Sequence, residues 1–239
     1  MLGNDVVDLR DPDARPESFR ARFDERVFSI EEQRAIAQDA NPLARRWAHW
    51  AAKEAAYKLA KRLDSTFVFS PGRLVAKYSN DSDQQSPRTA GQRKRRGLLE
   101  LPRALSQGIR MLALRSFETA EWVHVVAVPV GSDWGGVDSA VEPLGGELKD
   151  PSVAVRRLAV REISLSLGIG AERVSIGREG RVPTVEIDGS RTSLSLSLSH
   201  HGNWIAYAMR LRRDLQGECG WPRGGSDSFA RAAGATCTP

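Results

Sequence analysis

The sequence predicts an α+β protein of two similar lobes packed face to face, with a cleft between them. Two observations carry this expectation. Each of two blocks of the 239-residue chain carries a helical run followed by short strand-like runs. Each block also closes on a hairpin whose outgoing strand begins with tryptophan, Trp122 in the first and Trp204 in the second. At this length a fold buries about 70% or more of the surface its unfolded chain exposes, so the chain needs no disulfide or metal to hold it together.

In chain order, residues 3 to 9, GNDVVDL, are short and rich in β-branched residues and are broken off by Asp11-Pro12-Asp13, which predicts a strand. Residues 17 to 38 read as a helical region in two pieces. Residues 42 to 63 contain no glycine and no interior proline and are dense in Ala, Leu, Lys and Arg. With Asn41 placed to cap the run and Pro42 at its first turn, this is a helix. Strand-like runs follow at 66 to 78, 109 to 117 and 121 to 128, the last two forming a hairpin. Residues 1–133 make the first lobe and 134–150, rich in Gly, Ser, Asp and Pro, a linker. The second lobe, 151–213, opens with a helix at 151 to 167 and short strands near 173 to 177 and 183 to 187. It ends on Leu194, Leu196 and Leu198 alternating with serines, a turn at 201–203, and a last strand. Residues 214–239 read as a disordered tail.

Composition narrows the function classes. No stretch approaches the roughly 18 to 20 uninterrupted apolar residues of a membrane span. The N-terminus carries Asp5 where a secretory signal would be basic and then apolar, so the expected compartment is the cytoplasm. Both cysteines, Cys219 and Cys237, fall in the tail, which argues against disulfides and cysteine metal sites. The net charge of +5 and a pI near 9.5 suggest an acidic partner. The densest basic cluster, Arg88 with Arg93 to Arg96, reads as a solvated loop at 79 to 97. It lacks the interleaved aromatics that a nucleic-acid surface would use, so no nucleic-acid partner is expected. Only six of the 35 basic residues are lysine, and Lys53, Lys58 and Lys61 lie within nine positions, which hints at a site suited to point charges.

On the 42 to 63 helix each residue rotates by about 100°, so Glu54, Tyr57, Lys58 and Lys61 fall within ~80° of Trp50, with Lys53 ~60° to the other side. Ala52, Ala55, Ala56, Leu59 and Leu63 cover the opposite face. Two readings stay open: a surface helix with a Glu54 to Lys58 pair, or a carboxylate for metal or proton flanked by phosphate-neutralising ammonium groups. Asp5 reads either as a loop cap or as a second carboxylate, and Ser199 with His200 either as turn residues or as site residues.

Taken together, Gly3-Asn-Asp5, Trp50-x-x-Lys53-Glu54-x-x-x-Lys58 and Ser199-His200-x-Gly202-x-Trp204 resemble the three motifs of the 4'-phosphopantetheinyl transferases. Phe28-Ser29-x-x-Glu32 is similar to that family's Phe-Ser-x-x-Glu element, and Gly180-Arg-Val-Pro183 to its Gly-Lys/Arg-Pro turn with Val182 as an extra residue. The resemblance implies a monomeric pseudo-dimer of two α+β lobes with the active site in their cleft. The lobe order is the reverse of that in long members of the family. Val7 stands where two-lobed members tend to carry a third acid, and Asp8 is the nearest acid.

The resemblance also implies a reaction, the transfer of 4'-phosphopantetheine from coenzyme A to a serine hydroxyl of an apo acyl or peptidyl carrier protein. Adenosine 3',5'-bisphosphate is released. It assigns Asp5 and Glu54 to Mg2+, Glu54 and Lys58 to catalysis, and His200, Ser199, Lys53 and Arg181 to coenzyme A binding. The alternative is a non-catalytic carrier-protein-binding protein that kept the fold, against which the intact Asp5, Glu54 and Lys58 argue.

Overall fold

The structure, a computed structural model, describes residues 1–79, 92–145 and 150–210. Arg88, both cysteines and the expected tail lie outside the described residues.

Strand β1 (Gly3–Asp8) opens the first lobe and lies at the edge of a five-stranded antiparallel sheet in the order β1-β5-β4-β3-β2. The other strands are β2 (Val75–Tyr78), β3 (Arg93–Glu100), β4 (Met111–Glu118) and β5 (Trp122–Pro129). The helical region before the long helix divides into α1 (Phe23–Val27) and α2 (Ile30–Ala37), the latter started by a capping box between Ser29 and Glu32. Helix α3 (Pro42–Leu63) has its expected limits, with the Asn41 side chain accepting from Ala44 N at 3.1 Å. It lies on β1 and β5 through Ala51, Ala52, Ala55, Ala56, Leu59 and Ala60, all fully buried. Those small residues let backbone approach backbone. A Cβ on Gly3 would stand 2.0 Å from the Ala55 carbonyl oxygen, so only glycine fits there.

In the second lobe, β6 (Val137–Pro143), β11 (Trp204–Arg210) and β10 (Ser195–His201) form one antiparallel sheet, in the order β10-β11-β6. Strands β7 (Val174–Glu179), β8 (Val182–Ile187) and β9 (Ser190–Arg191) form another. Helix α4 (Pro151–Leu167), capped by Asp150 and ended by Gly168 at φ 64°, covers the β10-β11 hairpin with Val155, Leu158 and Ile163. Each lobe therefore runs strand, helix, strands and hairpin, with its first strand antiparallel to its last: β1 with β5, β6 with β11.

Three expectations need correction. Residues 134–150 are not simply a linker, because β6 lies within them and pairs with the free side of β11. Its sequence, VDSAVEP, holds too few apolar residues to announce a strand, and the neighbouring strand supplies the pairing. The basic stretch at 93 to 97 is not a loop: it begins β3, where buried Arg95 ion-pairs with Asp39 and Glu118. The run at 66 to 78 is strand only over its last four residues and begins as turns.

The five-stranded sheet and the β10-β11-β6 sheet meet edge to edge, β1 against β10. Strand β1 presents the backbone N–H groups of Asn4, Val6 and Asp8 away from β5. They donate to Ser197 Oγ (3.0 Å), Ser199 Oγ (3.1 Å) and His201 Nδ1 (3.1 Å) of β10. No backbone ladder joins the lobes at this seam. Alternate side chains of one strand bond the backbone of the other, which is why serines alternate with core leucines along β10. The Arg62 guanidinium adds a bond from the end of α3 to the Leu196 carbonyl. Trp122 and Trp204, the repeated tryptophans, meet at 6.0 Å between ring centroids.

Candidate active site

Asp5 sits where β1, α3 and β10 converge. Its Oδ1 accepts from Lys58 Nζ of α3 at 2.9 Å and from Ser199 Oγ of β10 at 2.7 Å, while Oδ2 accepts no hydrogen bond among the described residues. Lys58 Nζ also donates to the Asn4 carbonyl at 3.0 Å, fixing the ammonium against the β1 edge. One turn earlier on α3, half-buried Glu54 has no hydrogen bond or ion pair among the described residues. Burial, with repulsion from Asp5 behind it, pushes Glu54 up to about 7 against a smaller opposing pull from Lys58. Two carboxylates and an ammonium thus act on one another at this junction, and Asp5 Oδ2 and both Glu54 oxygens accept no hydrogen bond among the described residues.

His200 alternates away from the β10 residues that grip β1 and is exposed. Partial desolvation of the ring, then Lys58, hold it below the usual histidine pKa, with Asp150 and Asp5 pulling the other way. Its surroundings therefore favour neutral imidazole in the absence of an anion. Beneath the site the Asn4 amide donates to His124 Nε2 at 3.1 Å, which requires neutral imidazole there. Complete burial, aided by Lys58, pushes His124 down to about 3.

The structure thus brings Asp5, Glu54, Lys58, Ser199 and His200 together, and leaves out the other two expected residues. Lys53 is fully buried on another side of α3. Its ammonium binds Glu32 Oε2 at 2.8 Å and the carbonyls of Pro71 (3.1 Å) and Leu74. The correction is one of depth, since a helical wheel gives direction but not what covers a residue. Here α2 and the 71 to 74 segment close over Lys53, and Glu32, the acid of the Phe-Ser-x-x-Glu element, serves as its counterion. Arg181 is exposed in the two-residue turn between β7 and β8 and makes no hydrogen bond or ion pair among the described residues. Gly180, at φ 59°, supplies the positive φ that the turn needs. Trp50 packs against Phe23 and Phe69 at 5.7 and 5.9 Å, in an aromatic cluster.

Sequence reasoning missed Ser197, His201 and Asn203 as clasp residues and left Asp8 undecided. The Asp8 carboxylate accepts from Arg10 N (2.8 Å) and Asn203 N (2.9 Å), and Gly202 at φ 52° lies so close that a Cβ would stand 2.4 Å from Asp8 Oδ2. Asp8 is a fully bonded anchor for the β10-β11 turn. The Ser/Leu alternation was the available signal, although it could not name the strand the serines grip.

Among the described residues no helix is long and apolar enough to cross a membrane, and no cluster of three or more His, Cys, Asp or Glu is placed to hold a metal. Residues 1–94, which contain Asp5, Glu32, Lys53, Glu54 and Lys58, match the family model of the 4'-phosphopantetheinyl transferase superfamily. No curated protein matches the chain.

Proposed function

We propose that this chain, whose residues 1–94 match the family model of the 4'-phosphopantetheinyl transferase superfamily, transfers 4'-phosphopantetheine from coenzyme A to a serine hydroxyl of an apo acyl or peptidyl carrier protein. The observation that carries the reading is the convergence of Asp5, Glu54 and Lys58 inside the segment that matches the family.

The carboxylate pair fits a divalent cation. Asp5 Oδ2 and both oxygens of Glu54 lack protein donors among the described residues, and the mutual repulsion that helps raise Glu54 is what a hard cation relieves. Asp5 and Glu54 would hold Mg2+, with waters completing its shell, and the bound ion would polarise the pyrophosphate oxygens of the donor.

In the reaction the serine oxygen bonds to the phosphorus that bears pantetheine. The pyrophosphate bond breaks, and its electron pair leaves on adenosine 3',5'-bisphosphate. Glu54, whose oxygens accept no hydrogen bond among the described residues, takes the serine proton. Lys58, held by Asp5 and the Asn4 carbonyl, offsets the charge that develops on the transferred group. His200, the outward side chain of the second-lobe motif, donates to the 3'-phosphate of coenzyme A. Lys53, committed to Glu32, is not a ligand in this reading. One chain supplies both walls of the site, so the working form is a monomer, checked by light scattering. The cytoplasm, where coenzyme A and apo carriers meet, is its expected place.

Intact-mass analysis of apo acyl and peptidyl carriers, incubated with coenzyme A and Mg2+, tests the reading. One phosphopantetheine per carrier domain, lost when chelator is present, is the expected result. No mass gain on carriers that another transferase modifies under the same conditions overturns it.

A further inference from the structure

We infer that Ser199 is a positioning residue for Asp5, and that through it the docking of the second lobe sets the geometry of the carboxylate site. The resemblance would place Ser199 against coenzyme A, but its bonding points elsewhere. A serine hydroxyl has one proton and two lone pairs. The proton goes to Asp5 Oδ1 at 2.7 Å and one lone pair takes the Val6 N–H at 3.1 Å, in a residue 5% exposed. A phosphate accepts hydrogen bonds and needs a donor, and the only donor Ser199 has is already given to Asp5. With Lys58 on the same oxygen, the serine pins Oδ1 and leaves Oδ2 as the working atom.

The clasp contains its own control. Ser197, two residues earlier on β10, accepts from the Asn4 N–H at 3.0 Å in the same way and is equally buried, yet it forms no bond with Asp5. Removing either hydroxyl weakens the seam between lobes. Only loss of Ser199 releases the carboxylate.

Double-mutant cycles on the full chain, read by denaturant unfolding in the absence of metal, test this without reference to activity. Ser199→Ala combined with Asp5→Ala should show a coupling of about tenfold in the unfolding constant, the size expected for a hydrogen bond to a charged group. Ser197→Ala combined with Asp5→Ala should show less than twofold, and equal couplings would overturn the inference. Should Asp5→Ala fail to fold, Mn2+ binding to the single variants, followed by electron paramagnetic resonance, decides the matter. Ser199→Ala should weaken binding about tenfold, Ser197→Ala less than twofold, and Ser199→Thr, which keeps the hydroxyl, should restore it.

A kinetic arm rests on the proposed transferase reading. Ser199→Ala should lower kcat with little change in the KM for coenzyme A, whereas a raised KM at unchanged kcat would make Ser199 a coenzyme ligand and overturn the inference. If the coupling is present but no carrier is modified by the wild-type protein, the proposed reaction falls and the positioning role stands.

Discussion

Helices α3 and α4 occupy the same place in the two lobes, each following an opening strand and covering a closing hairpin, yet they are built for different ends. Helix α3 meets its sheet through alanines and a glycine, close enough that the β1 backbone and the side chains of Glu54 and Lys58 share one corner. Helix α4 meets its sheet through Val155, Leu158 and Ile163, and its basic residues Arg156 and Arg161 bond Ser152 or Glu142 and Glu162. Close packing brings charged groups to β1, while bulkier packing makes a support. The second lobe then adds to the site by side chains on an edge strand instead of by a helix.

If that division is correct, substitutions in the two lobes should fail in different ways. The largest effect belongs to the buried pair beneath α3. Lys53→Met strands Glu32 in a site where only 1% of its side chain is exposed, and should cost about 3–5 kcal/mol in chemical denaturation. The folded fraction should keep its KM for coenzyme A. A raised KM in well-folded protein would return Lys53 to the site.

Gly3→Ala should come next, with a loss of about 1–3 kcal/mol or more, because the added Cβ meets the Ala55 carbonyl and α3 must lift from β1. Turnover should fall with it, since lifting α3 moves Glu54 and Lys58. Activity that survives with only stability lost would show that the close approach serves packing alone.

Glu54→Gln should abolish turnover while raising stability in metal-free buffer. Glu54 has a folded pKa of about 7, above its ordinary 4.5, so between those values the folded state holds a proton that the unfolded state has released. Wild-type stability therefore falls, relative to the variant, as pH rises from 4.5 to 7, and the gap levels off above 7. Thermal melts across that range check the sign, and Mg2+ should close the gap by favouring the carboxylate.

His200→Ala should be the mildest, leaving stability nearly unchanged and raising the KM for coenzyme A with kcat kept. Dephospho-coenzyme A should be used almost equally by variant and wild type. A persisting preference for coenzyme A in the variant would pass the 3'-phosphate contact to another group.

Much of this was legible before the fold was seen, and the reasons are local. Helix α3 announces itself by Asn41, Pro42 and an uninterrupted run of helix formers, and β10 by its alternation. The Asp5, Glu54 and Lys58 corner is legible because one helical turn sets the Glu54 to Lys58 spacing and the motif adds Asp5. What stayed hidden depends on partners far along the chain. Strand β3 looks like a loop until Asp39 and Glu118 neutralise Arg95, and Lys53 looks available until Glu32, 21 residues upstream, is found beneath it. Ser197 and Ser199 act on a strand more than 190 residues away.

A seam closed by hydroxyls and an imidazole also works as an address. Backbone edges are alike in every protein, so a bare β1 edge would accept almost any extended chain that came beside it. The edge is instead occupied by Ser197, Ser199 and His201, acceptor side chains at alternate positions of β10. The lobe that completes the site is thereby also the one that keeps foreign strands off it, and any strand exchanged for it would have to present acceptors at the same three positions.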